Sequence, residues 1–178
     1  MKTRYDSARA VPSEQLAQML ALLNEAFPCT ERRADGEQLK LLNNPRYVLD
    51  LVTEQGRLVA LMAWWRLDGV RFIEHFAVDR AARNGGVGGK MLDGFLGEDV
   101  CPAVLEVELP EGETARRRIG FYRRHGFALS ERDYAQLPLR AGDSQTPMKL
   151  MFYPALPDEA GFDRVRHEIY RYVYNKQE

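Results

Sequence analysis

Between Phe72 and Leu92 the chain reads F-I-E-H-F-A-V-D-R-A-A-R-N-G-G-V-G-G-K-M-L. A strand-like run ends at Val78, a short polar link follows, and Gly85, Gly86, Gly88 and Gly89 open a helix. Glycine lets backbone approach a ligand closely and adopt conformations that other residues avoid. Free N–H groups at a helix start point outward, and the helix dipole favours negative charge there. Arg83 adds a guanidinium fork. These residue types in this order suit a phosphate or pyrophosphate. A Walker-type loop needs Gly, four residues, then Gly-Lys-Ser/Thr; Gly89-Lys90 is present, but Asn84 and Met91 occupy the two ends. A Gly-x-Gly-x-x-Gly dinucleotide fingerprint begun at Gly86 meets Met91 at its third glycine. The pattern that fits is Arg-x-x-Gly-x-Gly, from Arg83 through Asn84, Gly85, Gly86 and Val87 to Gly88.

The elements around this loop follow from apolar spacing. Residues 13–26 predict a helix, with Ser13 as its cap and Leu16, Leu20, Leu23 and Phe27 at helical intervals. A short helix is expected over residues 35–42. Tyr47–Thr53, Arg57–Leu67 and Arg71–Val78 predict strands. Glu54-Gln55-Gly56 and Asp68-Gly69 between them read as hairpin connections, so the three strands should be antiparallel neighbours. A helix over Gly86–Leu96, a strand over Val104–Leu109 and a helix over Glu113–His125 follow, the last stopped by Gly126. Short strands are expected at Phe127–Ser130 and Met148–Tyr153, a loop at residues 135–147 and an amphipathic helix at Asp158–Tyr174. The order predicts one α/β domain over residues 1–178, a mixed and largely antiparallel sheet with helices packed on it.

The loop and a second segment, R-R-I-G-F-Y-R-R-H-G-F at residues 117–127, resemble the two hallmarks of the GNAT superfamily of N-acetyltransferases. These are an Arg/Gln-x-x-Gly-x-Gly/Ala loop directly after a strand, and a tyrosine-bearing helix followed by Gly-Phe. The resemblance extends over roughly residues 45–153. It implies helices on both faces of the sheet and acetyl-CoA as acyl donor. Phe76, Ala77, Val78, Arg83, Asn84, Gly85, Gly86, Val87, Gly88 and Gly89 would form the binding edge and loop for the cofactor. It also implies that the strand splays from its neighbour near Val78, that pantetheine fits the gap, and that a backbone N–H there polarises the thioester carbonyl. The family often places an asparagine about one and a half turns before the tyrosine; Thr114 and Ala115 occupy that region here.

Acetyl transfer to an amine requires a base, polarisation of the carbonyl and stabilisation of the departing thiolate. A lysine-like amine is neutral in only about one molecule in a few thousand at pH 7. Glu74, on the strand that leads to the loop, is the first candidate base, at the place where spermidine-type members of the superfamily carry a glutamate. Glu108 and Glu106 are alternatives; they alternate with Leu105 and Val107 and so share a face. His75 should point to the face opposite Glu74 in a regular strand. By resemblance Tyr122 is the general acid; it shares an inward face with Ala115 and Ile119. The arginines at 116, 117, 118, 123 and 124 read as a solvated basic face. Of Trp64 and Trp65, on adjacent strand positions, at most one should face the core.

The 178 residues are 45% apolar and 29% charged, with a net charge of −1. No global basic field exists to gather nucleic acid or an anionic membrane. The apolar run Leu58–Trp65 is too short to span a bilayer, and residues 1–9 have no apolar targeting core. Cys29 and Cys101, far apart, predict free thiols in a reducing cytoplasm, and neither they nor the scattered histidines have metal spacing. The expected function is therefore acetylation of a primary amine, that of a small molecule, with no metal. A non-catalytic acyl-CoA sensor and acylation of a protein or peptide amine are the alternatives. Acyl chain length and oligomeric state stay open, a homodimer through the late strands or terminal helix resting on analogy alone. Residues 26–45 and 131–147 are where this fold would build the acceptor pocket.

Overall fold

The computed structural model describes residues 1–176. One eight-stranded sheet organises them, in the order β1 (Lys2–Tyr5), β2 (Tyr47–Glu54), β3 (Arg57–Leu67), β4 (Val70–Val78), β5 (Ala103–Glu108), β8 (Thr146–Tyr153) and β6 (Ala128–Leu129). The remaining strand, β7 (Tyr134–Gln136), also pairs with β8. Among the described residues only β4 and β5 run parallel. The hairpins turn at the expected positions, closing Glu54 on Arg57 and Leu67 on Val70.

Helices cover both faces. Helix α1 (Ser13–Ala26), α2 (Asp35–Lys40) and α5 (Glu159–Glu168) pack on one side, over Leu49, Leu61, Trp65 and Phe72. Helix α3 (Val87–Gly97) and α4 (Glu113–Arg124) pack on the other, over Met62, Trp64, Ile73 and Leu105. Because both faces are covered, Trp64 and Trp65 are both buried, one in each core, which corrects the expectation that only one would be. Among the described residues no helix is long and apolar enough to cross a membrane.

Other departures from the sequence reading have local causes. Ser13 does not cap α1; Pro12 holds the cap position, and its carbonyl accepts the first helical bond from Leu16. Strand β1 was not expected, since K-T-R-Y has no run of apolar residues; it forms by pairing with β2 and by an ion pair from Arg4 to the buried Asp50. Tyr134–Gln136, partly inside the expected loop, is strand β7, a three-residue edge element whose pattern is too short to read. The terminal helix is not uniform. Asp158 caps it by accepting from Gly161 N at 2.8 Å, and at Ile169–Val173 it widens into a π turn.

The decisive irregularity is in β4. Ala63 pairs with His75 and Trp64 with Ile73, so Glu74 is an extra residue, a β-bulge. Before the bulge Val70 and Phe72 face the α1/α5 core and Ile73 the α3/α4 core. Strict alternation would put Phe76 and Val78 with Phe72. The added residue moves both to the α3/α4 side and leaves Ala77 on the other. The same strand parts from β5: their ladder ends at Ile73–Leu105, and Glu74–Val78 have no strand partner on that edge.

The closed end of the β4–β5 pair is pinned by Arg71. Its buried guanidinium lies 4.3 Å over the Phe95 ring and donates to the carbonyls of Phe95 (2.6 Å), Asp99 (3.1 Å) and Cys101 (2.8 Å). Replacing Arg71 with Met leaves three carbonyls without that donor. The expected cost is about 2–4 kcal/mol, read as a lower urea midpoint with an unchanged slope.

Candidate functional site

The glycine loop leaves β4 at Val78. Asp79 caps a 3-10 turn (Arg80–Ala82) by accepting from Ala81 N at 2.9 Å, and Arg83 is folded back, its Nε donating to the Val78 carbonyl at 3.0 Å. Asn84 and Gly86 have φ of 66° and 76°, the left-handed region that asparagine and glycine tolerate. The four glycines divide the work. A Cβ on Gly86 would meet nothing within 4 Å, so this position faces open space. A Cβ on Gly88 would lie 3.2 Å from the Val78 side chain, and one on Gly89 3.2 Å from His125. Those two glycines therefore let the first turn of α3 press onto the end of β4 and onto α4. No side chain caps that turn, so its N–H groups remain available to an anion.

Beyond the last β4–β5 pair the two strands enclose a cavity of about 40 Å³, room for a few water molecules at roughly 10–15 Å³ each. Ile73, Phe76, Leu105 and Tyr122 line it from the α3/α4 side. Glu74, His75, Glu106, Gln136 and Met148 also line it, and Phe27, Glu31 and Arg118 complete the wall. The opening between the strands thus joins the two faces of the sheet.

Glu74 and Tyr122 are both in this cavity, as is Glu106. Glu108 is not: it lies at the end of β5 in an ion pair with Arg118 at 2.6 Å, each side chain about one-third exposed. His75 does not point away from Glu74, because the bulge breaks the alternation; the two side chains line one cavity, with Nδ1 at 3.9 Å from Glu74 Oε2. His75 also braces the chain after α1, its ring edge-on to Phe27 and its Nε2 3.0 Å from the Glu31 carbonyl. The arginines of α4 are mostly solvated, as expected; Arg116 donates to the carbonyls of Pro110 and Glu111.

The carboxyls differ sharply in their surroundings. Burial would raise the Glu74 pKa, but the Arg33 guanidinium, His75 and the Trp65 N–H hold it below its ordinary value. Arg33 donates to Glu74 Oε1 and also to the Val173 carbonyl, while Trp65 Nε1 donates to Oε2 at 2.9 Å. Glu106 has no cationic partner among the described residues. Its oxygens accept from the hydroxyls of Tyr134 and Tyr174 and from Gln136 Nε2 at 3.0 Å. Burial pushes its carboxyl up to about 7, with the nearby charge of Glu74 adding to the rise and the three donors opposing it. Glu31 is raised by burial and then by Glu108. Burial lowers the His75 pKa, leaving the ring neutral at pH 7. Tyr122 is pushed up to about 12 by burial, so its hydroxyl keeps its proton. No hydrogen bond is made to that hydroxyl among the described residues.

Arg33, Gln136, Tyr134 and Tyr174 escaped the sequence reading. Arg33, Tyr134 and Gln136 fall in the segments expected to form an acceptor pocket, as do Phe27 and Glu31, but nothing in their spacing marks them. Tyr174 and the Val173 carbonyl reach the site through the π turn, which residue pattern does not reveal.

A family model described as the acetyltransferase (GNAT) domain matches residues 46–129. A protein from Bacteroides thetaiotaomicron assigned to the GNAT acetyltransferase family is similar over 99% of both chains, at 33% identity and a TM-score of 0.87. An acyl-CoA N-acyltransferase from Pseudomonas aeruginosa is 18% identical, with a TM-score of 0.61 over 85% of this chain and 98% of its own. An aminoglycoside 6′-N-acetyltransferase complexed with coenzyme A is 14% identical, with a TM-score of 0.63 over 88% of this chain and 98% of its own. The last two speak for the fold alone. No match was found among curated protein sequences.

The Glu106 environment has a thermodynamic signature. Its folded-state pKa lies above the ordinary 4.5, so the folded protein holds an extra proton between the two values. Its contribution to stability is fully present below about 4.5 and is lost as pH rises through about 7. Glu106→Gln cannot titrate. From about pH 4.5 to pH 8, wild-type stability relative to Glu106→Gln should fall by roughly 2–3 kcal/mol, measured by urea unfolding of both proteins.

Proposed function

Because the chain belongs to the GNAT family of acetyltransferases, we propose that it transfers the acetyl group of acetyl-CoA directly to the primary amine of a small molecule, with Glu106 as base and Tyr122 as acid. One observation carries this reading: both residues line a single cavity at the point where β4 parts from β5.

Each part of the chain has a role that its chemistry supports. The uncapped first turn of α3, the open position at Gly86 and Arg83 beside them fit a pyrophosphate. The unpartnered edge from Glu74 to Val78 can hydrogen-bond an extended pantetheine arm, and an N–H on that edge can polarise a thioester carbonyl. Acetyl-CoA supplies the activated acyl group.

On the amine side, the base must accept a proton near neutral pH. Efficiency is greatest when its pKa is close to the operating pH. Glu106, at about 7, meets that condition. Glu74, held by Arg33 and Trp65 below its ordinary value, does not; its part is to keep negative charge beside the amine. Glu108, paired with Arg118 and outside the cavity, positions Arg118 at the rim. On the thiolate side the protonated Tyr122 hydroxyl, with no hydrogen bond among the described residues, is available to donate. The small cavity favours a slender amine terminus over a bulky head. A pure acyl-CoA sensor would require neither Glu106 nor Tyr122. The two free thiols are in keeping with a cytoplasmic location.

The cofactor assignment is tested at Gly86. Aspartate tolerates the left-handed backbone and is favourable at a helix N-terminus, so Gly86→Asp should fold. Its carboxylate would occupy the anion position, and like-charge contact of this kind costs several kcal/mol. Calorimetric titration should show micromolar acetyl-CoA binding by the wild type and a loss of about 100-fold or more in Gly86→Asp. A well-folded wild type that does not bind would overturn the assignment.

A further inference from the structure

Two residues of the cavity wall each carry a buried acceptor atom with no partner among the described residues: Gln136 Oε1 and His75 Nδ1. Both residues line the cavity, and their exposures are 8% and 2%. Leaving a buried acceptor unpaired is costly, so a pair of them on residues that wall one cavity points to a ligand that enters the wall with donors.

Their identities as acceptors are fixed by their other contacts. Gln136 Nε2 lies 3.0 Å from a Glu106 oxygen, which orients the amide with Oε1 free. The Tyr174 hydroxyl is committed to Glu106 at 2.8 and 3.0 Å, so it does not satisfy Oε1. His75 Nε2 faces the Glu31 carbonyl at 3.0 Å, and a carbonyl only accepts. Nε2 therefore bears the hydrogen of the neutral ring, and Nδ1 presents a lone pair. Glu74 Oε2, 3.9 Å from that nitrogen, is itself an acceptor and cannot satisfy it.

We infer that Gln136 Oε1, His75 Nδ1 and the Glu106 carboxylate together receive the three N–H groups of the acceptor's ammonium, and so select a primary amine over its N-alkylated analogues. The inference rests on the acetyltransferase reading and names the specificity of that site. The chemistry is balanced: the ammonium passes one proton to Glu106, and the nitrogen keeps two hydrogens and gains a lone pair. Those two hydrogens donate to Gln136 and His75, leaving the lone pair as the one group on nitrogen directed at the acyl carbon. A secondary amine, after losing its proton, has one hydrogen left and strands one buried acceptor. A site that hydrogen-bonds a particular N–H rejects an analogue lacking it far more strongly than an apolar pocket rejects an added methyl.

The test uses n-butylamine, N-methylbutylamine and N,N-dimethylbutylamine, titrated calorimetrically into protein saturated with coenzyme A. The wild type should bind them in that order, each methyl weakening binding by about tenfold. In Gln136→Met, of similar volume but without the amide, the step from primary to secondary amine should shrink to about threefold or less. A preference set by bulk alone would persist in that variant and would overturn the inference. So would equal binding of the three amines by the wild type, or no binding of butylamine. The coenzyme titration done first separates the two readings: protein that fails to bind coenzyme A contradicts the acetyltransferase assignment itself. Protein that binds it without discriminating among the amines contradicts only the assignment of Gln136 and His75.

Discussion

The parting of β4 from β5 after Ile73 and Leu105 is the constraint on which the site depends. A parallel pair that continued to Val78 would consume the N–H and C=O groups of that edge and leave no room between the strands. The bulge at Glu74 acts at the same place. It adds one residue, turns Phe76 and Val78 toward α3 and α4, and leaves Glu74 and His75 side by side in the opening. Bulges commonly re-aim side chains next to active sites. Here one irregularity shapes the strand end beneath the glycine loop and also supplies two groups of the cavity wall.

The buried charges divide into a compensated pair and an uncompensated group. Arg33 and Glu74 form an ion pair inside the protein, and Arg33 also reaches the Val173 carbonyl, so the pair ties the segment after α1 to the C-terminal π turn. Breaking such a pair strands a buried charge. Glu106 is held only by neutral donors, which cannot offset its desolvation. The two carboxyls therefore separate in acidity although they share one cavity. Paired titratable groups with divergent surroundings are a common basis for distinct acid–base roles.

Much of this was legible in the residues. The Arg83–Gly88 loop, its place after a buried strand, and Tyr122 on the inward face of α4 all follow from local spacing. Helix and strand order was recovered because apolar periodicity is strong from residue 47 to residue 125. What the sequence hid was non-local. No periodicity announces a bulge, yet the bulge decides where His75 points. Glu74 and Glu106 look alike as single residues; only the tertiary placement of Arg33 near one, and of Tyr134 and Tyr174 near the other, separates them. Glu108 shares a strand face with Glu106 but, two residues further on, reaches Arg118 at the rim. Gln136 sits in a three-residue edge strand too short to show a pattern.

The central claim is that the unpartnered edge of β4 receives the acyl donor. Amide hydrogen exchange across Glu74–Val78, followed with and without acetyl-CoA, addresses it most directly. The amides of this segment that face away from β3 have no ladder partner and exchange without the protection of a hydrogen bond. Bound pantetheine should slow exchange of those open-edge amides by about tenfold or more, with parallel protection at the first turn of α3. Protection confined to the α3 turn, with exchange at residues 74–78 unchanged, would mean that the anion site is occupied but the opened strand edge is not the donor site.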